Sequence, residues 1–193
     1  MFDVNRAEDA LMLALERRRQ FEDLTGVVGF GTFDLFTEWG ELKVRRWFEN
    51  LITDAGDLYN VTRILAAVTP AAPADATKVT GMKLGTGTTA AAKNGAGAAL
   101  VTYLTASNVA FDATWPKAVN LGAGLGVNAQ YQTTWPAGTA TNAAITEAVI
   151  VNDAGTNATS TAANTISRTV FTAINKTASD VLVGTWNHKQ FGS

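Results

Sequence analysis

The chain has 193 residues and a mass of 20.3 kDa, is 47% hydrophobic and only 17% charged, and carries a formal net charge of −2. That length buries a full-sized core, and a charged share below the usual quarter leaves much of the surface neutral. The balance offers no electrostatic footprint for nucleic acid or an anionic membrane, the lack of cysteine excludes disulfides and thiolate metal sites, and the single histidine, His188, excludes a multi-histidine centre.

Residues 1–63 hold 20 of the 32 charged side chains, so a charged N-terminal region gives way to a body of Ala, Thr, Gly and Asn. Within the first part, "NRAEDALMLALERRRQFEDL" reads as a helix. Asn5 caps it, Glu8 follows three residues on as in a capping box, and Gly26 stands just past its end. Leu11, Ala14, Leu15 and Phe21 recur at helical spacing, and Arg17, Arg18 and Arg19 occupy later turns, where cations suit the helix dipole. This arm either packs on its own domain or docks on another subunit; in the second case Leu11, Leu15 and Phe21 are the interface residues.

The next stretch, "GFGTFDLFTEWGELKVRRWFEN", predicts a β-hairpin, with strands at 32–37 and 41–49 turning near Gly40. Leu42, Val44 and Phe48 fall on one strand face and Lys43, Arg45 and Glu49 on the other, although Arg46 joins the apolar face and Trp47 the charged one. "NLITDAGDLYNVTRILAAV" then predicts a short helix from about Thr53 and Asp54, with Leu58, Val61 and Leu65 on one side and Gly56 as a weak point. Pro70 and Pro73 mark the loop that follows.

Beyond Gly81, β-prone runs alternate with turn signals, the best at 82–84, 127–134, 145–152, 165–172 and 181–188. "NDAGTNATSTAAN" and "NKTASD" read as hairpin connections. Two Trp-Pro pairs, Trp115-Pro116 and Trp135-Pro136, predict strand ends at corners, because a residue before proline is biased to extended geometry. The expected architecture is mainly β: an antiparallel sandwich or jelly-roll-like body over 27–193, with a helical insertion near 52–67 and an N-terminal helical arm over 1–26.

"LGTGTTAAAKNGAG" imitates a phosphate-binding fingerprint through Gly85, Gly87 and Ala90. Such a loop requires a helix that starts at once, whereas Asn94, Gly95 and Gly97 interrupt this one. Lys93 lacks the following Ser or Thr of a Walker loop, and Asp112 is poorly placed as a ribose-binding acid. A small-residue connection between strands is the better reading. His188 lies in a terminal strand where a lone histidine is usually structural, and Asp54 with Asp57, or Glu8 with Asp9, suits helix starts. The five tryptophans, Trp39, Trp47, Trp115, Trp135 and Trp186, fit core or subunit contacts better than a sugar-binding surface. No catalytic, cofactor-binding or metal-binding residue is expected, and neither is enzymatic activity.

Taken in order, "NLITDAGDLY", "MKLGTGTTAAAKNGAGAALVTYL", "AITEAVIVND" and "ISRTVFTAINKTASDVLVGTWNHKQF" resemble a family of tailed-bacteriophage virion proteins over roughly residues 49–192. The resemblance implies a small β-sandwich module that oligomerises, as a dimer or trimer, and contacts the major capsid protein or other virion proteins. It further implies synthesis in a bacterial cytoplasm, residence on the virion, no nucleic-acid or membrane partner, and no catalytic residues. A capsid decoration or cement protein is the leading expectation. A head-fibre, tail-fibre or adaptor component is the alternative, with host-glycan binding through Trp115 or Trp135 as a further possibility.

Overall fold

The computed structural model describes residues 27–66, 78–122, 126–152 and 160–190. The predicted arm, with Leu11, Leu15 and Phe21, lies outside them. The described chain is mainly β: β1 (Val27–Phe36), β2 (Leu42–Ile52), the helix α1 (Asp54–Ala66), β3 (Val79–Gly85), a 3₁₀ turn (Gly95–Ala98), β4 (Val109–Ala110), β5 (Lys117–Asn120), β6 (Val127–Trp135), β7 (Asn142–Asn152), β8 (Thr165–Lys176) and β9 (Val181–Gln190). All strand pairings are antiparallel, in one nine-stranded sheet of order β4-β3-β7-β8-β2-β1-β9-β6-β5.

The sheet curls into a half-barrel. Among its long strands the thinnest seam is β2–β8, which pairs only at Leu51↔Arg168 and Ile52↔Ser167. At the β4 edge the chain crosses toward β6: Phe111 N donates to Thr80 O at 3.1 Å, and the next amide, that of Asp112, donates to Gln132 O at 2.9 Å. The Asp112 carboxylate then accepts from the Thr134 amide at 2.9 Å and its hydroxyl at 2.8 Å. Thus Asp112 ties the curl rather than facing a ligand.

Cross-strand partners share a face, so the register predicts the inner rows. Phe48, Gly31, Trp186 and Tyr131 make one row, Asn50, Gly29, His188 and Ala129 a second, and Arg46, Phe33, Gly184 and Thr133 a third. Each contains a glycine beneath a large neighbour. A Cβ on Gly31 would stand 2.5 Å from Phe48 Cζ, one on Gly29 would stand 1.8 Å from Asn50 Oδ1, and one on Gly184 would stand 2.7 Å from Phe33 Cε1. These absences let aromatic rings lie over β1 and β9. Phe33 stacks on Phe48 at 5.0 Å between ring centres and meets Phe171 of β8 at 4.7 Å, while Phe48 meets Trp186 edge-on at 4.8 Å. Met82, Leu84, Ile145, Ile150, Ile174 and Leu182 complete the core.

The turn of the β1–β2 hairpin and the β6–β7 and β8–β9 connections, which cross between non-neighbouring strands, gather at one end, while β1 starts, β9 finishes and β5 leads to β6 and β7 to β8 at the other. The β1–β2 hairpin is present, and "NDAGTNATSTAAN" joins the paired strands β7 and β8 as a hairpin connection does; "NKTASD" does not, because it links β8 to β9 across the two intervening strands β2 and β1. One expectation is reversed: Trp135 ends β6, but Trp115-Pro116 immediately precedes β5 and so opens a strand instead of ending one.

Helix α1 starts where predicted, and Thr53 caps it, accepting the Gly56 amide at 3.0 Å on its hydroxyl. The same hydroxyl donates to Thr165 O and Ile166 O, anchoring the helix to β8. Gly56 is a contact point rather than a defect, because a Cβ there would lie 2.1 Å from the backbone oxygen of Ile166. Helix propensity alone makes Gly56→Ala stabilising by about 1 kcal/mol. The packing predicts the opposite sign, so thermal unfolding of Gly56→Ala is expected to show a lowered Tm.

Candidate functional site

The fingerprint-like segment leaves β3 at Gly85 and covers the sheet face opposite the core. Val149↔Arg168 stands one residue along from Ile150↔Ser167, so Arg168 points away from the inner face that Ser167 shares with His188. Both Arg168 and Glu147 are nevertheless fully buried, at 0% exposure. Their carboxylate and guanidinium meet at 2.8 Å from Nη2, with Nε at 3.3 Å.

Glu147 also organises the loop. Its Oε1 accepts from the amides of Gly87 and Thr102, each at 2.9 Å, and its Oε2 accepts from that of Val101 at 3.1 Å. Arg168 completes the lock by donating from Nη1 to Gly97 O at 3.0 Å and from Nη2 to Thr89 O at 2.8 Å. The glycines are needed for this approach: a Cβ on Gly85 or Gly87 would each stand 2.5 Å from Glu147 Oε1. The loop therefore does wrap an anion, but the anion is a side chain of its own fold. Ala90 is exposed, and Lys93 with Asn94 reaches sideways to Asp57 and Asp54 at the start of α1. The two aspartates are thereby placed in the first turn of a helix, where the dipole favours them.

A second buried charge knot joins the hairpin end. Lys176, 0% exposed, donates to Pro136 O at 3.0 Å and Asp180 O at 2.7 Å, and Gly138 N donates to Ala178 O at 2.7 Å. Lys43 of β2 binds both Asp180 carboxylate oxygens at 2.9 Å, and Thr177 donates to the same carboxylate from its amide and hydroxyl. Burial alone raises the Asp180 pKa, but the hydrogen bonds from Lys43 and Thr177 and the charge of Lys43 outweigh it and bring it to about 2. Burial lowers that of Lys176, partly opposed by Asp180. Lys83, also fully buried, is lowered by burial to about 8.

His188 occupies the inner face. Its Nε2 accepts from Asn50 Nδ2 at 3.2 Å, Ser167 Oγ stands 3.1 Å from the same nitrogen, and the Tyr131 ring packs edge-on at 5.1 Å. Burial depresses its pKa from 6.5 to about 3. Ser167 is 0% and His188 4% exposed, so a substrate carbonyl has no route to this serine–histidine pair. Among the described residues no group of three or more His, Asp or Glu side chains is placed to hold a metal ion.

The tryptophans divide by position. Trp135 and Trp186 are at 0% exposure in the core, which removes Trp135 from any glycan surface. Trp115 lies under Lys117 Nζ at 4.1 Å, and Trp39, at the tip of the β1–β2 connection, is 83% exposed. The Glu147–Arg168 lock was missed from the sequence, although Glu147 is the one charge of β7 and Arg168 stands alone among uncharged residues until Lys176 ends β8, a pattern that marks buried charges when a strand is covered on both faces.

Two outcomes are expected. Glu147→Gln leaves the Arg168 charge buried without its counter-ion and should cost about 3–5 kcal/mol in chemical denaturation, with faster amide exchange at Gly87, Val101 and Thr102. Between pH 6.5 and about 3 the unfolded chain binds a proton at His188 that the folded chain refuses, so stability falls as pH drops through that window. Unfolding free energy measured at pH 7 and pH 4 should therefore decline, and decline less in His188→Gln.

Comparison with protein-family models, with curated proteins and with solved structures finds no match to this chain.

Proposed function

We propose that this chain is a structural protein of a tailed-bacteriophage virion, a decoration or cement protein that bridges and stabilises capsid subunits. The supporting observation is the use made of its buried ionisable groups. Glu147, Arg168, Lys176, Asp180 and His188 are all engaged in hydrogen bonds that join strand to strand or loop to sheet. The ordered segment resemblance over residues 49–192 supplies the family, and the weakly charged, cysteine-free composition suits a packing module.

In this reading the curled sheet is a jelly-roll-like sandwich whose layers, β2-β1-β9-β6-β5 and β4-β3-β7-β8, are hinged at Leu51 and Ile52. The hairpin end, with Trp39 83% and Leu42 44% exposed, supplies apolar contacts to a capsid neighbour. Leu11, Leu15 and Phe21, expected from the sequence as interface residues, are proposed to add to those contacts. Many modest contacts repeated over a shell hold it by avidity, so no single joint has to be strong.

Removal of the protein from purified particles is expected to lower their tolerance of heat and osmotic shock. Unchanged tolerance rejects the cement role, and a low copy number per particle by quantitative gel transfers the assignment to a tail-fibre or adaptor component.

A further inference from the structure

The segment that covers Glu147 and Arg168 meets helix α1 through two neighbouring residues. Lys93 pairs with Asp57, its carbonyl accepts the Asp54 amide at 2.9 Å, and Asn94 Nδ2 donates to Asp54 Oδ2 at 3.1 Å. Asn94 is followed by Gly95, and no other asparagine of the chain precedes a glycine. Both residues are exposed. Gly95 has a φ of +68°, and nothing lies within 4 Å of the place a Cβ would take. As the first residue of the 3₁₀ turn, its N–H has no acceptor inside that turn. Asn94 is extended, with ψ at 179°, and its side chain makes no capping bond to the turn. That ψ holds the Gly95 nitrogen gauche to the Asn94 Cβ, so a modest rotation about Cα–C brings it onto Cγ.

We propose that Asn94 is a self-modifying site, at which the side-chain amide is displaced by the backbone nitrogen of Gly95. The attacking nitrogen must be unhindered, and glycine alone carries no side chain to obstruct it. Solvent base removes the Gly95 amide proton, a bond forms between Gly95 N and Asn94 Cγ, and the Cγ–Nδ2 bond breaks as Nδ2 leaves with a proton as ammonia. Water then opens the cyclic imide. Cleavage at Cγ yields aspartate, and cleavage at the main-chain carbonyl yields isoaspartate. The net change exchanges ammonia for water, with nothing oxidised or reduced.

Either product alters the corner where the segment rests on α1. The Nδ2 donor that served Asp54 is gone, and a carboxylate stands in its place, facing a carboxylate. The Lys93 ammonium is held by Asp57. Isoaspartate in addition routes the backbone through Cβ and Cγ, lengthening the chain at the entrance to the turn whose Gly97 carbonyl accepts from Ala92 N at 2.9 Å and from Arg168 Nη1 at 3.0 Å. The modification therefore loosens the cover of the buried ion pair from the helix side. This inference goes beyond the virion assignment and does not depend on it.

Purified full-length protein held in mildly alkaline buffer is expected to gain, in the peptide that contains Asn94, the mass difference of water for ammonia, and that peptide should become a substrate for labelling by isoaspartyl methyltransferase. The other asparagines, none before glycine, serve as internal controls. Asn94→Gln should abolish the label. An Asn94 that stays intact in the folded protein, whether or not the urea-unfolded chain converts, overturns the proposal. Asn94→Asp is expected to lower Tm and to speed exchange of the Asp54 amide several-fold; a Tm and exchange rate equal to those of the unaltered chain overturn the loosening.

Discussion

The fold turns on a carboxylate and a guanidinium placed where neither meets water. Glu147 and Arg168 belong to neighbouring strands on the outer side of the half-barrel, a side that would be solvated without the 86–104 segment. A bare ion pair in such a place is poorly compensated for its lost hydration. Here the remaining hydrogen-bonding capacity is taken up by backbone amides and carbonyls of that segment, from Gly87, Val101, Thr102, Gly97 and Thr89. The pair and its cover consequently require each other: the loop needs the charges to satisfy its backbone, and the charges need the loop as solvent.

On the inner side the same economy of space is achieved without charge. Three rows of the register put a glycine under an aromatic or amide side chain, at Gly29, Gly31 and Gly184, so that residues of β2 reach across β1 toward β9. Phe33, Phe48, Phe171, Trp135 and Trp186 then form one aromatic mass spanning the β2–β8 seam, where the strands share few ladder bonds. Ring packing of this kind contributes about 0.5–1.5 kcal/mol per pair beyond its buried area. Stacking takes over where backbone pairing lapses.

Much of this was legible in the letters. The β1–β2 hairpin, α1 and the five longer strands announce themselves through alternation, a Thr-Asp helix start and turn residues, because those signals are local. The placement of Arg46 on the apolar face, which looks like a flaw in the pattern, is real: it pairs with Phe33 in the inner row. What stayed hidden depends on contacts distant in sequence. Gly56 reads as a helix breaker until Ile166 is brought against it, and Gly85 with Gly87 reads as a phosphate loop until Glu147 arrives from β7. The short β4 and β5 carry too little alternation to be seen, and the curling of the sheet is closed by Asp112, a residue in no strand.

The segregation of connections gives the molecule a direction. At one end short turns are tied together through Lys43, Lys176 and Asp180; at the other, β7 reaches β8 only after a dozen residues, 153–164. Lengthening an already long connection adds only about 0.6 kcal/mol of closure entropy per doubling, whereas one residue added between Lys176 and Val181 would pull apart the whole tie. Sequence drift and grafted peptides thus have a natural home at the slack pole, while the laced pole is held to its present length.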